Sequence, residues 1–184
     1  MESRTANGFT LLQLLITVTV AAILATVAVP AFQEFLERQR SQAAIAELRN
    51  ALALGRQEAA QSGSSVTVCP TANGEACRND GDWSDGWMVF EDPDRLETCD
   101  DAGNGQCNHG GRVFSVHPGV SGAVTINGNA LIEDAVTFRP QGFAKLSNGT
   151  FTVCSADGEI LRGLVVAWSG RMRKAGPGDS TACP

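Results

Sequence analysis

The side chains best suited to chemistry in this chain are the cations of the stretch SGRMRKAG, residues 169–176. The run LVVAWS before it predicts a strand, and Gly170 can make a turn or bulge at the strand's end. If the chain stays extended beyond that glycine, Arg171 and Arg173 project to one face of the strand. Two guanidinium groups at this spacing can fork onto neighbouring phosphates. Lys174 and the flexible AGPG segment would let the patch adapt to DNA of any sequence.

Charge is divided unevenly along the chain. The formal net charge of −6 and the pI of about 4.9, taken alone, argue against a nucleic-acid partner. Residues 75–101, however, hold ten carboxylates and two arginines, whereas six cations and three carboxylates follow Ala135. Local potential within about 8–10 Å governs a phosphate contact more than total charge does. The six predicted contacts are Arg139, Lys145, Arg162, Arg171, Arg173 and Lys174.

Other groupings give weaker grounds for chemistry. Oxygen-bearing side chains between residues 92 and 104 suit calcium, but they lack the ordered spacing of a known calcium loop, so a solvated acidic loop is favoured. These residues are Asp92, Asp94, Asp100, Asp101 and Asn104. His109 and His117 accompany no evident nucleophile or ligand set. Since no acid/base pair, phosphate-binding glycine loop or Ser-His-Asp grouping is evident, we expect neither enzyme activity nor a metal or cofactor.

The chain has three tryptophans, which could stack on nucleic-acid bases. They are Trp83, Trp87 and Trp168. Such residues are more often part of a core, and the alternation of Trp87 with Val89 favours the core for that residue.

From residue 64 onward the sequence is typical of β-structure. Short runs of β-branched and aromatic residues alternate with turn signals such as Asn73-Gly74, Asp85-Gly86 and Asn127-Gly128. The runs are SVTVC, GWMVF, GRVFSV, GAVTI, AVTFRP, GTFTVC and RGLVVAWS. We therefore predict an antiparallel body of two small sheets over residues 64–184. Together with the helix described next, this gives an α+β fold.

The first third of the chain predicts one long helix over residues 9–63. No charged residue occurs between Arg4 and Glu34. This uncharged stretch is long enough to cross a bilayer as a helix. Beyond Pro30, where we expect a bend or a loosened turn, the pattern becomes amphipathic. We therefore place residues 9–31 in a membrane and the rest of the helix against the β-body. The apolar positions of the amphipathic part are Phe32, Phe35, Leu36, Ile45, Leu48 and Leu52.

These features resemble the type IV pilin and pseudopilin family: a short leader, residues 1–8, ending in Gly8, then Phe9, a long apolar helix and Pro30. The resemblance implies cleavage between Gly8 and Phe9 by a prepilin peptidase, followed by methylation of the new amine. It also implies an inner-membrane anchor with a periplasmic domain, and later packing with other pilin subunits in a surface filament. Six cysteines beside a membrane-targeting segment agree with an oxidising compartment.

Gln13 departs from the family pattern, which has glutamate at this position. The resemblance implies that the glutamate pairs with the amine of a neighbouring subunit, and a glutamine cannot supply that charge. One reading is a rare subunit near the filament tip, with no amine above it to pair. The other is a tolerated substitution of little consequence.

The runs VTVCP, WSDGWMVFEDP, VTFRPQGFA and LVVAWSGRMR resemble the GspH/FimT/FimU group of minor pilins and pseudopilins. The G-R-x-R element is similar to the motif of FimT-like minor pilins, which bind DNA in natural transformation, and it falls on Gly170, Arg171 and Arg173. Structural subunits also often end a strand with Gly-Arg, so the alternative is a subunit that primes a pilus or secretion filament and binds no DNA. DNA capture requires both guanidinium groups to be exposed and free of acidic partners.

The six cysteines fit disulfides better than zinc. Seven residues separate the cysteines within each of two pairs, whereas structural zinc ligands are typically two to four residues apart. Fifteen connectivities are possible. Proximity and the resemblance favour Cys69–Cys77, Cys99–Cys107 and Cys154–Cys183.

Overall fold

The computed structural model describes residues 10–100, 104–120, 124–145, 149–179 and 182–183. The chain divides into two compact units, one up to Leu36 and one from Glu37 to Pro184. The predicted leader and the predicted cleavage position between Gly8 and Phe9 lie outside the described residues.

Helix α1 spans Leu11–Ser62 and ends just before Gly63. A capping box begins it: the Gln13 amide donates to the Thr10 hydroxyl oxygen (3.3 Å), and the Thr10 amide donates to Oε1 of Gln13 (3.1 Å). Gln13 therefore supplies the side-chain acceptor of this cap without a charge.

The unit up to Leu36 presents an apolar helical surface. The large apolar side chains exposed between Leu11 and Phe35 have between 51% and 83% of their surface accessible. Pro30 lies inside the helix, which continues through it. By length and composition α1 can cross a membrane, which agrees with a single-pass anchor.

The unit from Glu37 onward contains two four-stranded sheets, ordered β3-β2-β1-β5 and β4-β6-β7-β8. All their strand pairs are antiparallel. This confirms the predicted α+β class and the two small sheets. The strands are β1 (Val66–Pro70), β2 (Trp87–Glu91), β3 (Val113–His117), β4 (Val124–Gly128), β5 (Val136–Phe138), β6 (Gly149–Ser155), β7 (Ile160–Val166) and β8 (Met172–Lys174).

One stripe of α1 packs into the core of this unit. Its buried residues recur every three or four positions, as a helix face requires, and they are Ser41, Ala44, Leu48, Leu52, Gly55 and Ala59. Small residues let the helix approach the sheet closely: a Cβ added at Gly55 would lie 3.0 Å from Cγ2 of Val68. Leu48 and Leu52 meet the amphipathic prediction, whereas Phe32 and Phe35 are exposed and belong to the other unit.

Trp83 and Trp87 are buried in this core, whereas Trp168 is exposed. The Trp83 ring meets Phe151 edge to face, with ring centroids 4.9 Å apart, and Trp87 stacks on His117 at 4.3 Å. The core prediction for Trp87 is therefore right. Among the three tryptophans, Trp168 is the one whose ring a ligand could reach.

Three disulfides join Cys69 to Cys77, Cys99 to Cys107 and Cys154 to Cys183, the pairs favoured from the sequence. The last one ties the C-terminal tail to β6. In the acidic segment, which is residues 75–101 of the sequence, buried Asp92 accepts hydrogen bonds from the Thr67 hydroxyl and from two backbone amides. Its oxygens serve the fold, and within the described ranges no group of three or more acidic, His or Cys side chains could hold a metal ion.

Candidate nucleic-acid interface

The β7–β8 hairpin carries the basic element. In its register Val166 faces Met172, Val165 faces Arg173, and Leu164 faces Lys174. Met172 packs against the core, whereas Arg173 on the alternate face is exposed. The predicted alternation of side chains beyond Gly170 is therefore present.

Gly170 makes the turn of this hairpin and is itself buried. Its amide donates to the Ala167 carbonyl (2.8 Å), and its φ is +72°, in the left-handed region that favours glycine. A Cβ here would collide with the carbonyl oxygen of Gly142 and lie 2.9 Å from Nε of Arg56. Gly170 therefore shapes the turn and presents no side chain to a ligand.

Arg56 of α1 holds the same turn from the helix side. Its guanidinium donates to the carbonyl oxygens of Gly170 (3.1 Å) and Ser169 (3.2 Å). The two partners lie 113 and 114 residues further along the chain. Local sequence patterns carry no signal for this contact, so it could not be predicted from the sequence.

A second turn lies against the first. The Arg139 amide donates to the Phe143 carbonyl (2.9 Å), and the Ala144 amide donates to the Trp168 carbonyl (2.9 Å). The Gly142 carbonyl fills the space beside Gly170. We call these two segments, residues 139–143 and 167–171, the paired turns.

The paired turns present two cations, Arg139 and Arg171. Both residues are exposed. Neither has an ion-pair or side-chain hydrogen-bond partner within the part of the chain that the structure describes. They come from positions 32 residues apart in sequence (171 − 139). Their guanidinium groups are therefore available to an anionic ligand.

Arg173 does not meet the requirement that both guanidinium groups be exposed and free of acidic partners. Its side chain is 57% exposed, but it donates two parallel hydrogen bonds to the Asp179 carboxylate, at 2.8 and 2.7 Å. These bonds, with one from the Gly176 amide, lower the pKa of Asp179 to about 2. Because the folded pKa is depressed, the pair is intact at neutral pH and is lost only as pH falls through about 2. The expectation of two unpaired guanidinium groups is therefore wrong for Arg173.

Lys145 is also paired. Its Nζ lies 2.8 Å from Oε2 of Glu97, whose other oxygen accepts a hydrogen bond from Thr137. Since Glu97 belongs to the acidic segment, tertiary structure brings the two oppositely charged regions together here. Lys145 is therefore paired with an acidic residue and is not one of the cations available to a ligand.

Arg162 and Lys174 line a groove of about 460 Å³ between α1 and the β7–β8 hairpin. Arg49 and Asn50 of α1 lie on its other wall. Lys174 is exposed, and the Nε atom of half-buried Arg162 is buried without a hydrogen-bond partner among the described atoms. The groove therefore extends the basic surface away from the paired turns.

Comparison with known proteins identifies related sequences and folds. Residues 44–170 match the sequence profile of the family described as Type II transport protein GspH. No curated protein matches the sequence significantly. Since the profile ends at Gly170, the cations from Arg171 onward lie beyond the matched range.

Two solved structures have a similar fold. The type IV minor pilin FimU of Pseudomonas aeruginosa is 20% identical, with a TM-score of 0.55, over 77% of this chain and 92% of that chain. The solution structure of E. coli GspH is 15% identical, with a TM-score of 0.51, over 78% of this chain and 92% of that chain. At such identities the likeness shows the shared fold and leaves the ligand to be argued from the residues of this chain.

Proposed function

Because the chain belongs to the GspH family of type II transport proteins, we propose that it is a minor filament subunit that binds DNA through its paired turns. The observation that carries the proposal is the exposure, on adjoining turns, of two arginines without acidic partners among the described residues. Lys174 is exposed on β8 beside the groove, where DNA that extends beyond the paired turns would meet a third cation. The role we propose is capture of extracellular DNA for uptake in natural transformation.

Binding of this kind is electrostatic and independent of sequence. Lys and Arg contacts to phosphates release condensed counterions, so affinity falls as salt rises, by about 0.9 log units per contact for each decade of salt. Three contacts predict a slope of about −3. So few contacts give weak binding by one subunit, and several subunits in one filament would raise the avidity.

The requirement that both Arg171 and Arg173 be free of acidic partners is not met, because Arg173 is paired with Asp179. The proposal therefore depends on Arg139 and Arg171 instead of on Arg171 and Arg173, and Arg173 has a different role from the one predicted. The Arg173 side chain is 57% exposed, so a phosphate can approach the guanidinium and compete with the Asp179 carboxylate for it. The guanidinium fork fits phosphate and carboxylate alike. Asp179 therefore competes with DNA phosphates for Arg173 and lowers the affinity of the basic surface for DNA. The tail that carries Asp179 is tied to β6 by Cys154–Cys183.

Asp179→Asn tests this role. Removal of the competing carboxylate frees Arg173, and we expect affinity for duplex DNA to rise about three- to tenfold near 0.1 M salt and the salt slope to steepen by about one unit. The measurement is fluorescence anisotropy of labelled duplex DNA with the full chain in a nonionic detergent. Asp157→Asn is the matched control, because it removes the same charge from an exposed turn.

Two outcomes would count against the proposal. If Asp179→Asn and Asp157→Asn change binding equally, the effect is one of net charge and Asp179 is not a specific competitor. If neither variant nor the wild type binds DNA, the chain is a structural subunit.

A purely structural role is the second candidate. The observation that favours it is that Gly170 and Arg56 hold the turn together and that Arg173 and Lys145 are satisfied by acidic partners. Such a subunit would prime a pilus or a type II secretion filament near its tip. Its deletion would abolish filaments, whereas loss of the DNA-binding surface would abolish transformation and leave filaments intact.

In both cases the N-terminal part has the same proposed role. We infer that a prepilin peptidase cleaves between Gly8 and Phe9, and that the apolar half of α1 holds the subunit in the inner membrane with the β-body in the periplasm. After assembly that half would pack against other subunits. Gln13 would then cap its own helix instead of pairing with a neighbouring amine.

A further inference from the structure

An exposed aromatic pair lies on the paired turns. The rings of Phe143 and Trp168 stack with their centroids 5.2 Å apart and their planes 4° from parallel. Phe143 is 41% exposed and Trp168 is 58% exposed. This contrasts with Trp83 and Trp87, whose rings are fully buried.

The backbone fixes this pair in place. Phe143 ends one of the paired turns and Trp168 lies at the start of the other, and the Ala144 amide donates to the Trp168 carbonyl (2.9 Å). Arg56 holds the Trp168 turn through the adjacent Ser169 carbonyl. The rings are therefore positioned before any ligand arrives, which reduces the entropy lost on binding.

Cations lie on the same two turns as the rings. Arg139 begins the turn that Phe143 ends, and Arg171 ends the turn that holds Trp168. A single-stranded nucleic acid offers the complementary pair of groups, phosphates for the guanidinium groups and an aromatic base for the indole. In a duplex the bases are stacked on one another, so the same rings have no base face to meet.

We propose that Trp168 is a stacking platform for an unpaired base and that the paired turns therefore prefer single-stranded DNA to duplex. Phe143 covers one face of the indole, and the base stacks on the other. The inference rests on the proposed function, since it assumes that the ligand is DNA. The inference also specifies that the bound form is single-stranded DNA, and that Trp168 contributes a stacking contact in addition to the ionic contacts of the arginines.

The test compares three probes of equal length, each about 12 nucleotides: an oligothymidine strand, its duplex with oligoadenosine, and an abasic strand that keeps the phosphates without the bases. Each is titrated into the full chain in a nonionic detergent. We expect the oligothymidine strand to bind at least about fivefold more tightly than the abasic strand. Tryptophan fluorescence should be quenched by the oligothymidine strand and not by the duplex or the abasic strand, because Trp168 is the tryptophan that an unpaired base can reach.

Variants then assign the effect to the ring. Trp168→Ala should make the oligothymidine and abasic strands bind equally, while Trp168→Phe should keep part of the difference. Leu131→Ala, which removes another exposed apolar side chain, should change nothing. Circular dichroism of each variant checks that the β-body is folded.

Each remaining outcome overturns either the stacking inference or the proposed DNA-binding function. If the oligothymidine and abasic strands bind the wild type equally, and Arg139→Gln/Arg171→Gln still weakens both, the surface binds phosphates and the stacking inference fails. If Trp168→Ala impairs subunit association and leaves DNA binding unchanged, the platform is a protein contact and the inference also fails. If no probe binds, the proposed function itself fails.

Discussion

Replacing Arg139 and Arg171 together by glutamine is expected to weaken binding of duplex DNA by about 50- to 100-fold near 0.1 M salt. Each phosphate contact contributes about one log unit at that salt concentration, through counterion release. The slope of log affinity against log salt should fall by about two units, from about −3 to about −1. Anisotropy titrations of the full chain over a series of salt concentrations measure both quantities.

Arg40→Gln/Arg112→Gln is the matched control. It changes the net charge by the same amount at two exposed arginines, Arg40 on α1 and Arg112 beside edge strand β3. We expect at most a small loss of affinity, since screening limits the reach of a charge to about 10 Å. If this control loses as much as the paired-turn variant, binding reports total charge and the paired turns are not the site.

Gly170→Ala is expected to destabilise the β-body by roughly 3 kcal/mol, because the positive φ and a steric clash act together. The added Cβ would collide with the Gly142 carbonyl and crowd Arg56, so the paired turns would have to separate. The unfolding temperature of the β-body should fall accordingly. It is measured by the fluorescence of the full chain, which changes as Trp83 and Trp87 become exposed. DNA affinity should fall as well, even below the unfolding temperature, since the turns that carry Arg139 and Arg171 would no longer be held together.

Gly158→Ala separates the two causes of that loss. Gly158 also has a positive φ, +79°, but an added Cβ there has no neighbour within 4 Å. We expect a cost of about 1 kcal/mol from the backbone alone and no change in DNA binding. Equal destabilisation by the two substitutions would show that the contact between the paired turns relaxes readily and does not hold them in place.

The elements of this fold could be predicted because their signals are local. The apolar run ahead of Glu34 predicts a helix that can span a membrane, and alternating β-branched residues between Gly-containing turns predict strands. The helix bounds were off by only one or two residues, since a capping box at Thr10 and Gly63 mark its ends. At 100° per residue, Phe32 and Phe35 lie about 160° and about 140° around the helix from Leu48, so they are on the opposite side of α1 from the buried stripe.

The site was harder to predict because its geometry depends on contacts between distant residues. Arg171 and Arg173 look equivalent in sequence, yet the loop after β8 brings Asp179 to only one of them. Glu97 reaches Lys145 across 48 residues (145 − 97), although the sequence places the two in oppositely charged segments. The contacts of Arg56 with the turn before Arg171, and the stacking of Phe143 on Trp168, have no counterpart in local patterns.

Family membership and charge distribution bear on different questions. The matched profile ends at Gly170, so it covers the paired turns except for Arg171 and includes none of the residues beyond them. The similarity to FimU and GspH likewise concerns the fold. The claim that DNA is bound therefore depends on Arg139, Arg171 and Lys174 being available, which is a property of this chain's own surface.

The most direct test is an NMR footprint of DNA on the isotopically labelled full chain. Binding at the paired turns predicts that the largest amide and arginine side-chain shifts fall within residues 139–143 and 167–174, with little change at the acidic segment. Arg171→Gln should remove most of the effect. Shifts concentrated elsewhere, or none at DNA concentrations that saturate the anisotropy signal, would contradict the account.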